Sequence, residues 1–580
     1  MESNSRILIR DCYKTYRHDQ DKVLTPQETI RRVKDRLASI DLKVLTETVR
    51  IDSGRLGIPV FISLCGEDAT RLTGTKKQMG KGATPSQSEA SAIMELVERY
   101  SFFAFMKQSA FPLLPYGAIG SDAVPVERLL LSLHDRHSSL RQCRDFLDAF
   151  PMRWVCAHNL THHQNQWVPI DWFYLINEYN GPAAGNTLEE AILQSLCEVV
   201  ERHVGSIISH QRMETPTIDP HSLRDPVAIQ LVECFEKEGI RLFLKDFSLD
   251  TGIPTVGAIA YDPATFPERS EIVFTAGTTS NPEKSLCRAL TEVAQLAGDF
   301  QSRTTYRPTL PKYTRLEDAD YLMKPGRTVS ISSLPDLQDS NLRVEIERCV
   351  SALGGIDLEV LVVNSSHPLL GIPCVYTIIP GAHFLDRTRD TDFPQHAARV
   401  LLQGASGDCV LPLMERLAGI FGPRYDLSFF VAHAFELEGQ TEKALKHYQE
   451  ALRQQPDPQE TASIHIHIAS CLKELGRYEE ALEALQTAEG YNKELKEIHN
   501  LRGFCLFKLK RHEDAIAAFE RAIEIDPGSA IDYANIGSNL RELGHKREAV
   551  RLYRMALELD PDIDFARENI ARLEGELQGG

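Results

Sequence analysis

Two segments of this chain carry the same pattern of charged residues. The pattern E-x-V-E-R occurs once as Glu95, Glu98 and Arg99 and again as Glu198, Glu201 and Arg202. Positions three and four apart are neighbours on a helix, so each pattern places two carboxylates on one side. Adjacent carboxylates repel unless a cation neutralises them, and a divalent metal ion is the usual candidate. A solvated charged face is the alternative interpretation for either segment alone.

A third segment, CRALTEVAQLAG, carries Arg288, Glu292 and Gln295 at helical spacing. The three segments lie far apart in the sequence, and each directs polar groups to one side of a helix. We therefore expect the three helices to converge on one shared site.

The residues before these helices predict how the helices are positioned. The stretch LTGTKKQMGKGATPSQ is basic and rich in glycine, and it could bind phosphate through backbone N–H groups and Lys76, Lys77 or Lys81. It is not a Walker A loop, and alone it is a weak signal. Before the second helix, Thr187 is an expected N-cap, with Glu190 at the third helical position.

An N-terminal helix begins at LTPQETIRRVKDRLASI. Thr25, Pro26 and Glu28 form the sequence of a capping box, with proline at the first helical position. Lys22 and Thr29 flank the start of this helix. The helix is either a surface amphipathic helix or a source of groups that reach a phosphate.

Strands and helices alternate over roughly the first 400 residues. The segments KVLTETVRID, IPVFISLC, MRWVCAHNL, QWVPIDWFYL, TVGAIAYD and EIVFTAGTTS are rich in β-branched and aromatic residues, as strands are. Amphipathic helices separate several of them, which predicts a mixed α+β domain.

Composition restricts the partners of the protein. The net charge of −18 argues against general nucleic-acid binding and against an anionic membrane surface. The chain has no apolar run near the ~18 residues of a membrane span. Its twelve cysteines form no C-x-x-C pair, which is typical of reduced thiols in a cytoplasmic protein.

A repeat of 34 to 37 residues occupies the C-terminal part. It aligns on four alanines, Ala444, Ala481, Ala515 and Ala549. Small residues where paired helices cross are the signature of tetratricopeptide repeats. We predict an α+β domain over residues 1–405, a linker over 406–424, and four repeats with a capping helix over 425–580. Such a solenoid binds a peptide or protein, or serves only dimerisation or stability.

The N-terminal domain resembles the YcaO family in three motifs: GKGATPSQSEASAIMELVERY, NGPAAGNTLEEAILQSLCEVVERHV and PEKSLCRALTEVAQ. The resemblance implies an enzyme that uses ATP and Mg²⁺ to phosphorylate a backbone amide oxygen of a peptide or protein substrate. Attack by a Cys, Ser or Thr side chain then gives an azoline, and attack by an external sulfur source gives a thioamide.

The resemblance also implies roles for nine residues. The family's metal and phosphate carboxylates correspond to Glu95, Glu98, Glu198 and Glu201. Its arginine–glutamate pair corresponds to Arg288 and Glu292, its glutamine to Gln194, and its N-terminal lysine and hydroxyl to Lys22 and Thr29. Arg288 is expected to neutralise charge on the transferring group, with Glu292 holding its guanidinium in place.

The C-terminal part departs from the azoline-forming members. Those members commonly end in a proline-rich tail, whereas this domain continues into a linker and repeats. The arrangement is more similar to stand-alone members with helical-repeat tails, such as the accessory factor for methylthiolation of ribosomal protein S12. An accessory or scaffold role, with the repeats as a docking surface, is therefore the alternative function. For the oligomeric state, a homodimer is the alternative to a monomer.

Overall fold

The computed structural model describes residues 7–301, 310–384, 391–404 and 410–578. The chain divides into two compact units, Met1–Phe393 and Pro394–Gly580. The predicted domain boundaries at residues 405 and 424 stay predictions. The fold class is confirmed: a mixed domain of sheets and helices precedes an all-α run of paired helices.

The first half of unit 1 consists of α1 (Pro26–Ala38), β1 (Leu45–Arg50), β2 (Val60–Cys65), α2 (Glu67–Thr73), β3 (Lys77–Lys81), α3 (Pro85–Gln108), β4 (Leu113–Pro115), α4 (Tyr116–Ile119), α5 (Val126–Ser132), α6 (Leu140–Leu147), β5 (Pro151–Asn159), β6 (Gln164–Pro169), α7 (Ile170–Asn177) and β7 (Pro182–Ala184). The second half of unit 1 consists of α8 (Leu188–Gln211), β8 (Thr217–Ile218), α9 (Pro226–Lys237), β9 (Arg241–Asp246), β10 (Thr255–Tyr261), β11 (Val273–Thr278), α10 (Pro282–Ala297), α11 (Leu316–Met323), β12 (Thr328–Val329), α12 (Leu342–Gly354), β13 (Leu361–Asn364) and β14 (Cys374–Ile378).

These strands form three sheets. The first has the order β1-β2-β3, the second β11-β10-β9-β8-β12, and the third β4-β5-β13-β14-β7 with β6 paired to β5. Helices α9 and α10 cover the second sheet, and their buried Phe235 and Leu290 belong to one hydrophobic core. Helices α3 and α8 both contact β7 and β14, and α8 also contacts β11. The sheets therefore hold α3, α8 and α10 next to one another.

A glycine lets two of these helices pack directly on the preceding strand. A Cβ on Gly80 of β3 would lie 2.1 Å from the backbone nitrogen of Ala92. A Cβ on Gly277 of β11 would lie 2.6 Å from the backbone nitrogen of Ala289. Both alanines lie twelve residues after the glycine, so β3–α3 and β11–α10 are matching strand–helix units.

Two segments of unit 1 differ from the sequence-based expectation. The basic glycine-rich stretch contains strand β3, which pairs with β2. The end of QWVPIDWFYL is helix α7, not strand. Nearly every residue of α7 is buried, so its apolar run has no periodicity that would distinguish a helix from a strand.

Unit 2 is a run of helices. They are α13 (Phe393–Gly404, which starts at the boundary), α14 (Val410–Phe421), α15 (Tyr425–Leu437), α16 (Thr441–Arg453), α17 (Pro458–Glu474), α18 (Tyr478–Tyr491), α19 (Lys496–Lys508), α20 (His512–Ile525), α21 (Ala530–Glu542), α22 (Lys546–Leu559) and α23 (Asp564–Gln578). The segment expected as a linker thus contains α14, which buries Met414 and Leu417.

The helices from α15 to α22 form the four predicted pairs, and α23 packs against α22. The alanines that defined the repeat, Ala444, Ala481, Ala515 and Ala549, are completely buried. No helix among the described residues is both long and apolar enough to cross a membrane. The cysteines in the described parts of the chain are all free thiols.

Candidate functional site

A cavity of about 410 Å³ opens where α3, α8 and α10 meet. Eight of the nine residues expected at the site line it: Lys22, Thr29, Glu95, Glu98, Gln194, Glu198, Arg288 and Glu292. The ninth, Glu201, lies behind this surface, with none of its side chain exposed. Helical periodicity therefore brings groups from three distant segments into one cavity.

The matching strand–helix units explain the placement of two of these carboxylates. Glu95 and Glu292 each lie ten residues after the proline that begins their helix, Pro85 in α3 and Pro282 in α10. Each helix is also capped by a side chain, Thr84 or Asn281, which fixes where it starts. The same local folding rule thus positions one glutamate on each of two walls of the cavity.

Arg288 is held by two side chains of α8. Its Nε lies 3.0 Å from Glu201 Oε2, and the backbone N–H of Thr278 donates to the same oxygen at 3.1 Å. The Gln194 amide, with its oxygen facing Arg288, accepts hydrogen bonds from Nη1 at 2.7 Å and Nη2 at 3.2 Å. The guanidinium is therefore fixed at the cavity surface, and arginine keeps its charge at any ordinary pH.

The carboxylate beside Arg288 is not the one expected. Glu292 forms its close ion pair with Lys81 of β3, while Glu201 pairs with Arg288. Lys81 lies in the stretch predicted as a phosphate loop, but it reaches the cavity from a strand. Burial lowers the pKa of Lys81, and the charge of Arg288 lowers it further. The charge of Glu292 opposes this shift.

The second oxygen of Glu201 is nearly isolated. Glu201 Oε1 is buried and accepts no hydrogen bond from the described residues, although Arg202 Nη1 lies 3.3 Å away. A buried oxygen without a hydrogen bond is unfavourable, so the nearby charge of Arg202 is what offsets the burial of Glu201 Oε1.

Three further carboxylates face the cavity from α3 and α8. Arg99 pairs with Glu95 at 2.9 Å and lies 3.6 Å from Glu98, while Arg202 lies 3.9 Å from Glu198. Burial, assisted by the Glu95 and Glu198 charges, raises the pKa of Glu98 well above its usual range. Burial likewise raises the pKa of Glu198 to about 7, with the Glu95 charge adding to the shift and the nearby arginines opposing it.

These carboxylates fit Mg²⁺ bound together with phosphate. Burial disfavours the ionised forms of Glu98 and Glu198, and a bound dication would offset that penalty. In the described chain no three of these glutamates place oxygens within 4.8 Å of one another. Mg²⁺ usually takes only one or two carboxylates and completes its shell with water and phosphate oxygens, so an open arrangement suits it.

Lys22 and Thr29 line the cavity beside α8. Lys22 Nζ lies 3.8 Å from Glu190 Oε1. The hydroxyl of Thr29 accepts a hydrogen bond from Asn186 Nδ2 at 3.0 Å, and Asn186 Oδ1 is buried without a hydrogen bond in the described structure. Asn186 and Glu190 were not predicted as site residues, although the NGPAAGNT turn and the N3 position of α8 had singled out their surroundings.

Comparison with known families matches both units. A family model described as YcaO cyclodehydratase, binding ATP and Mg²⁺, matches residues 79–383, which is more than half of the chain. Tetratricopeptide-repeat models match residues 427–491, 467–530 and 533–563.

Individual relatives match parts of the chain. An uncharacterized protein of Methanothermobacter thermautotrophicus is 29% identical over 389 residues, covering 62% of this chain and 94% of that protein. The ribosomal protein S12 methylthiotransferase accessory factor YcaO of Escherichia coli is 31% identical over 212 residues, 32% of this chain and 35% of its own. A solved heterocyclase in complex with substrate and cofactor is similar in fold, with a TM-score of 0.53 and 23% identity; the match covers 65% of this chain and 54% of that one.

Proposed function

We propose that this chain, which belongs to the YcaO family, activates a backbone amide of a peptide or protein substrate. The family description gives the cofactors as ATP and Mg²⁺. The observation that carries the proposal is Arg288, held by Glu201 and Gln194 at a cavity that also presents buried, incompletely neutralised carboxylates. A fixed cation and a set of metal-binding carboxylates in one cavity are suited to phosphoryl transfer.

We assign Mg²⁺ to Glu95, Glu98 and Glu198. All three line the cavity, and neighbouring carboxylates contribute to the raised pKa values of Glu98 and Glu198. Glu201 does not line the cavity and pairs with Arg288, so we assign it the task of positioning that arginine. This departs from the resemblance, which placed Glu201 among the metal carboxylates.

Arg288 is the residue that we expect to meet charge on the transferring group. Its Nε is taken by Glu201 and its terminal nitrogens contact Gln194, so its plane is fixed before any ligand arrives. Lys81 and Glu292 form a close pair on the same wall, where the ammonium can add positive charge. Lys22, Thr29 and Asn186 are the polar groups that we assign to contacts with the nucleotide.

The nucleotide, when bound, supplies the phosphoryl group that turns the amide oxygen into a leaving group. An amide oxygen is a poor nucleophile, so holding it in place is a large part of the residues' task. Attack by a neighbouring Cys, Ser or Thr side chain yields an azoline, and attack by an external sulfur source yields a thioamide. We propose one of these two products.

The test combines a product assay with variants of Arg288. Candidate peptides are incubated with the full-length protein, ATP, Mg²⁺ and sulfide, and mass spectrometry seeks a loss of water or an exchange of oxygen for sulfur. Arg288→Gln should lower ATP turnover by about 100- to 1,000-fold, as removal of a group that stabilises developing charge does. Arg288→Lys keeps the charge beside Glu201 but loses the planar fork, so it should also be strongly impaired.

A surface arginine serves as the control. Arg315 pairs with Asp318 at an exposed position, and Arg315→Gln should leave turnover unchanged. Circular dichroism checks that each variant is folded, since Arg288→Gln removes one ion-pair partner of the buried Glu201. ATP turnover at the wild-type rate in folded Arg288→Gln and Arg288→Lys would end the proposal.

A second candidate function is an accessory or scaffold role. The observation that favours it is the repeat unit over residues 427–563, together with similarity to an accessory factor for S12 methylthiolation. In this case the repeats dock a partner enzyme and nucleotide binding is regulatory. The chain should then raise the turnover of a methylthiotransferase even when Arg288→Gln has removed its own ATP turnover. Loss of that stimulation in Arg288→Gln would favour amide activation instead.

A further inference from the structure

A cluster of histidines and a carboxylate lies in the first two repeats, within unit 2. His433 and Glu436 are one turn apart on α15, and His467 reaches them from α17. Glu436 Oε2 lies 3.4 Å from His433 Nδ1 and 3.5 Å from His467 Nδ1. Across the described ranges this is the one group of three or more His, Cys, Asp or Glu residues whose donor atoms all lie within 4.8 Å of one another.

We propose that His433, Glu436 and His467 bind a divalent transition-metal ion, with Zn²⁺ the best fit, and leave one coordination position open. Zinc–nitrogen and zinc–oxygen bonds of about 2.0–2.1 Å at tetrahedral angles put neighbouring ligand atoms about 3.3–3.4 Å apart. The observed separations of 3.4 and 3.5 Å agree with that spacing. They are longer than the roughly 2.7–3.2 Å of a typical N–H···O hydrogen bond, so hydrogen bonding alone accounts for them less well.

Tyr448 of α16 supports the carboxylate of this cluster. Its hydroxyl lies 2.8 Å from Glu436 Oε2 and 3.2 Å from His467 Nδ1. A phenol has one proton to donate, and the charged carboxylate is both the nearer and the stronger acceptor. The hydroxyl therefore orients Glu436, as second-shell partners orient metal ligands, and an ion would bind the tautomer of His467 whose Nδ1 carries no proton.

Aromatic rings fix the orientation of His467. The Tyr448 ring stacks on the imidazole with 5.1 Å between centroids, and Phe429 contacts it edge to face at 5.0 Å. The three ligand side chains remain between 28% and 35% exposed, so an ion can enter from solvent. Rigid ligands at a partly open surface are what a metal site with a free position requires.

The donor set also predicts which ions are preferred. Two imidazoles and one carboxylate suit Zn²⁺, Cu²⁺ or Ni²⁺, whereas Mg²⁺ prefers oxygen ligands. The repeats would thus hold an ion different from the Mg²⁺ of the first unit. The open position is available to water or to a donor group of a bound peptide, and the bridge between α15 and α17 would stiffen the first two repeats.

The test is Zn²⁺ binding by the full-length protein, freed of metal and kept in millimolar Mg²⁺ to occupy the glutamates of unit 1. Competition with a chromophoric chelator should reveal one Zn²⁺ site per chain. Glu436→Gln, which has nearly the same shape, and His467→Gln should each weaken that site at least about 10- to 100-fold. Co²⁺ in place of Zn²⁺ should give the visible absorption of a four-coordinate ion, and both variants should lose it.

The matched control is His465→Gln, which removes a histidine from the same helix outside the cluster and should leave Zn²⁺ affinity unchanged. Circular dichroism distinguishes a lost site from a lost fold, and the isosteric Glu436→Gln keeps the test informative if His467→Gln unfolds. Absence of a Zn²⁺ site in the wild type, or equal Zn²⁺ affinity in wild type and Glu436→Gln, would overturn the proposal. A change in thermal stability without a change in Zn²⁺ affinity would also overturn it, because the cluster would then be a hydrogen-bonded network only.

Discussion

The charged cavity of the first unit differs from the helix crossings of the second unit in what stabilises it. Around the cavity of the first unit, Glu201, Arg288 and Glu292 are nearly buried charges that pair with groups from distant parts of the sequence. In the second unit the core consists of small residues against aromatic rings, such as Gly503 against Phe519 and Gly537 against Tyr553. Packing in the repeats therefore favours the folded state directly, whereas buried carboxylates oppose it until something positive binds.

This difference indicates where function resides. Burying a carboxylate is unfavourable unless cations or hydrogen bonds offset it, and the raised pKa of Glu198 shows an incomplete offset. Strongly shifted pKa values cluster at functional sites, where a bound ligand can offset the unfavourable burial of charge. The small residues that pack the repeats bury no charge in this way. The candidate site of the repeats is the cluster of His433, Glu436 and His467.

Neutral substitutions at the cavity should therefore separate stability from function. Glu98→Gln and Glu198→Gln keep the shape of the side chains but remove charges that burial disfavours. We expect each to weaken Mg²⁺ binding in the presence of ATP by about 10- to 100-fold, while the metal-free protein unfolds at the same temperature or ~1–3 °C higher. Calorimetry of unfolding and titration with Mg²⁺ measure the two effects.

Glu89 provides a control, because it lies on the same helix as Glu98 but its pKa is lowered instead of raised. It lies outside the cavity, and hydrogen bonds from Lys34 and Thr48 outweigh burial and lower its pKa. Glu89→Gln should therefore leave Mg²⁺ binding unchanged and lower the unfolding temperature slightly. If Glu98→Gln and Glu89→Gln weakened Mg²⁺ binding equally, the assignment of Mg²⁺ to the cavity carboxylates would be wrong.

The crossing of α19 and α20 in the repeats should respond to added side-chain volume. A Cβ on Gly503 would lie 2.6 Å from the Phe519 ring, so Gly503→Ala overpacks the crossing of α19 and α20. We expect a cost of about 1–3 kcal/mol. In a unit of this size that lowers the unfolding temperature by ~2–10 °C. ATP turnover should not change, because the strain is confined to the second unit.

The matched substitution is Gly490→Ala on α18. Nothing lies within 4 Å of a Cβ at Gly490, and its φ is not positive. Alanine is favoured over glycine in a helix by roughly 0.5–1 kcal/mol, so this change should stabilise the repeats. Equal effects of the two substitutions would show that helix propensity, and not packing of Gly503 on Phe519, determines the response.

The same contrast explains what could be predicted from the sequence. The repeats depend on contacts between helices that are adjacent in the chain, so the spacing of Ala444, Ala481, Ala515 and Ala549 was enough to predict the helix pairs. Convergence of the three charged helices followed from periodicity within each helix. These signals are local, and the fold class that they predict is confirmed. The cofactors ATP and Mg²⁺, which the family resemblance implies, are confirmed by the matching family model.

Pairings across the cavity could not be predicted in this way. Arg288 is 87 residues from Glu201, and Lys81 is 211 residues from Glu292, so their partners depend on how the sheets place the helices. Strand β3 was missed because lysine and glycine are rare in strands. Gly80 is required there by its contact with the backbone of α3, which only the assembled structure reveals. The roles of the site residues stay predictions.

The last expected effect is a dependence on pH in the first unit. The pKa of Glu198 is about 7 in the folded protein, well above that of an ordinary glutamate, so the protonated folded form is favoured. The stability that this group contributes is present below its unfolded pKa and is lost as the pH rises through about 7. Mg²⁺ binding requires the ionised form, so affinity for Mg²⁺ with ATP should fall about tenfold from pH 8 to pH 6. Stabilisation of the first unit by Mg²⁺ and ATP should be larger at pH 8. Part of the pH profile of Mg²⁺ affinity comes from protonation of the nucleotide itself, and Glu198→Gln should flatten the rest. An identical profile in wild type and Glu198→Gln would show that Glu198 does not titrate at the site.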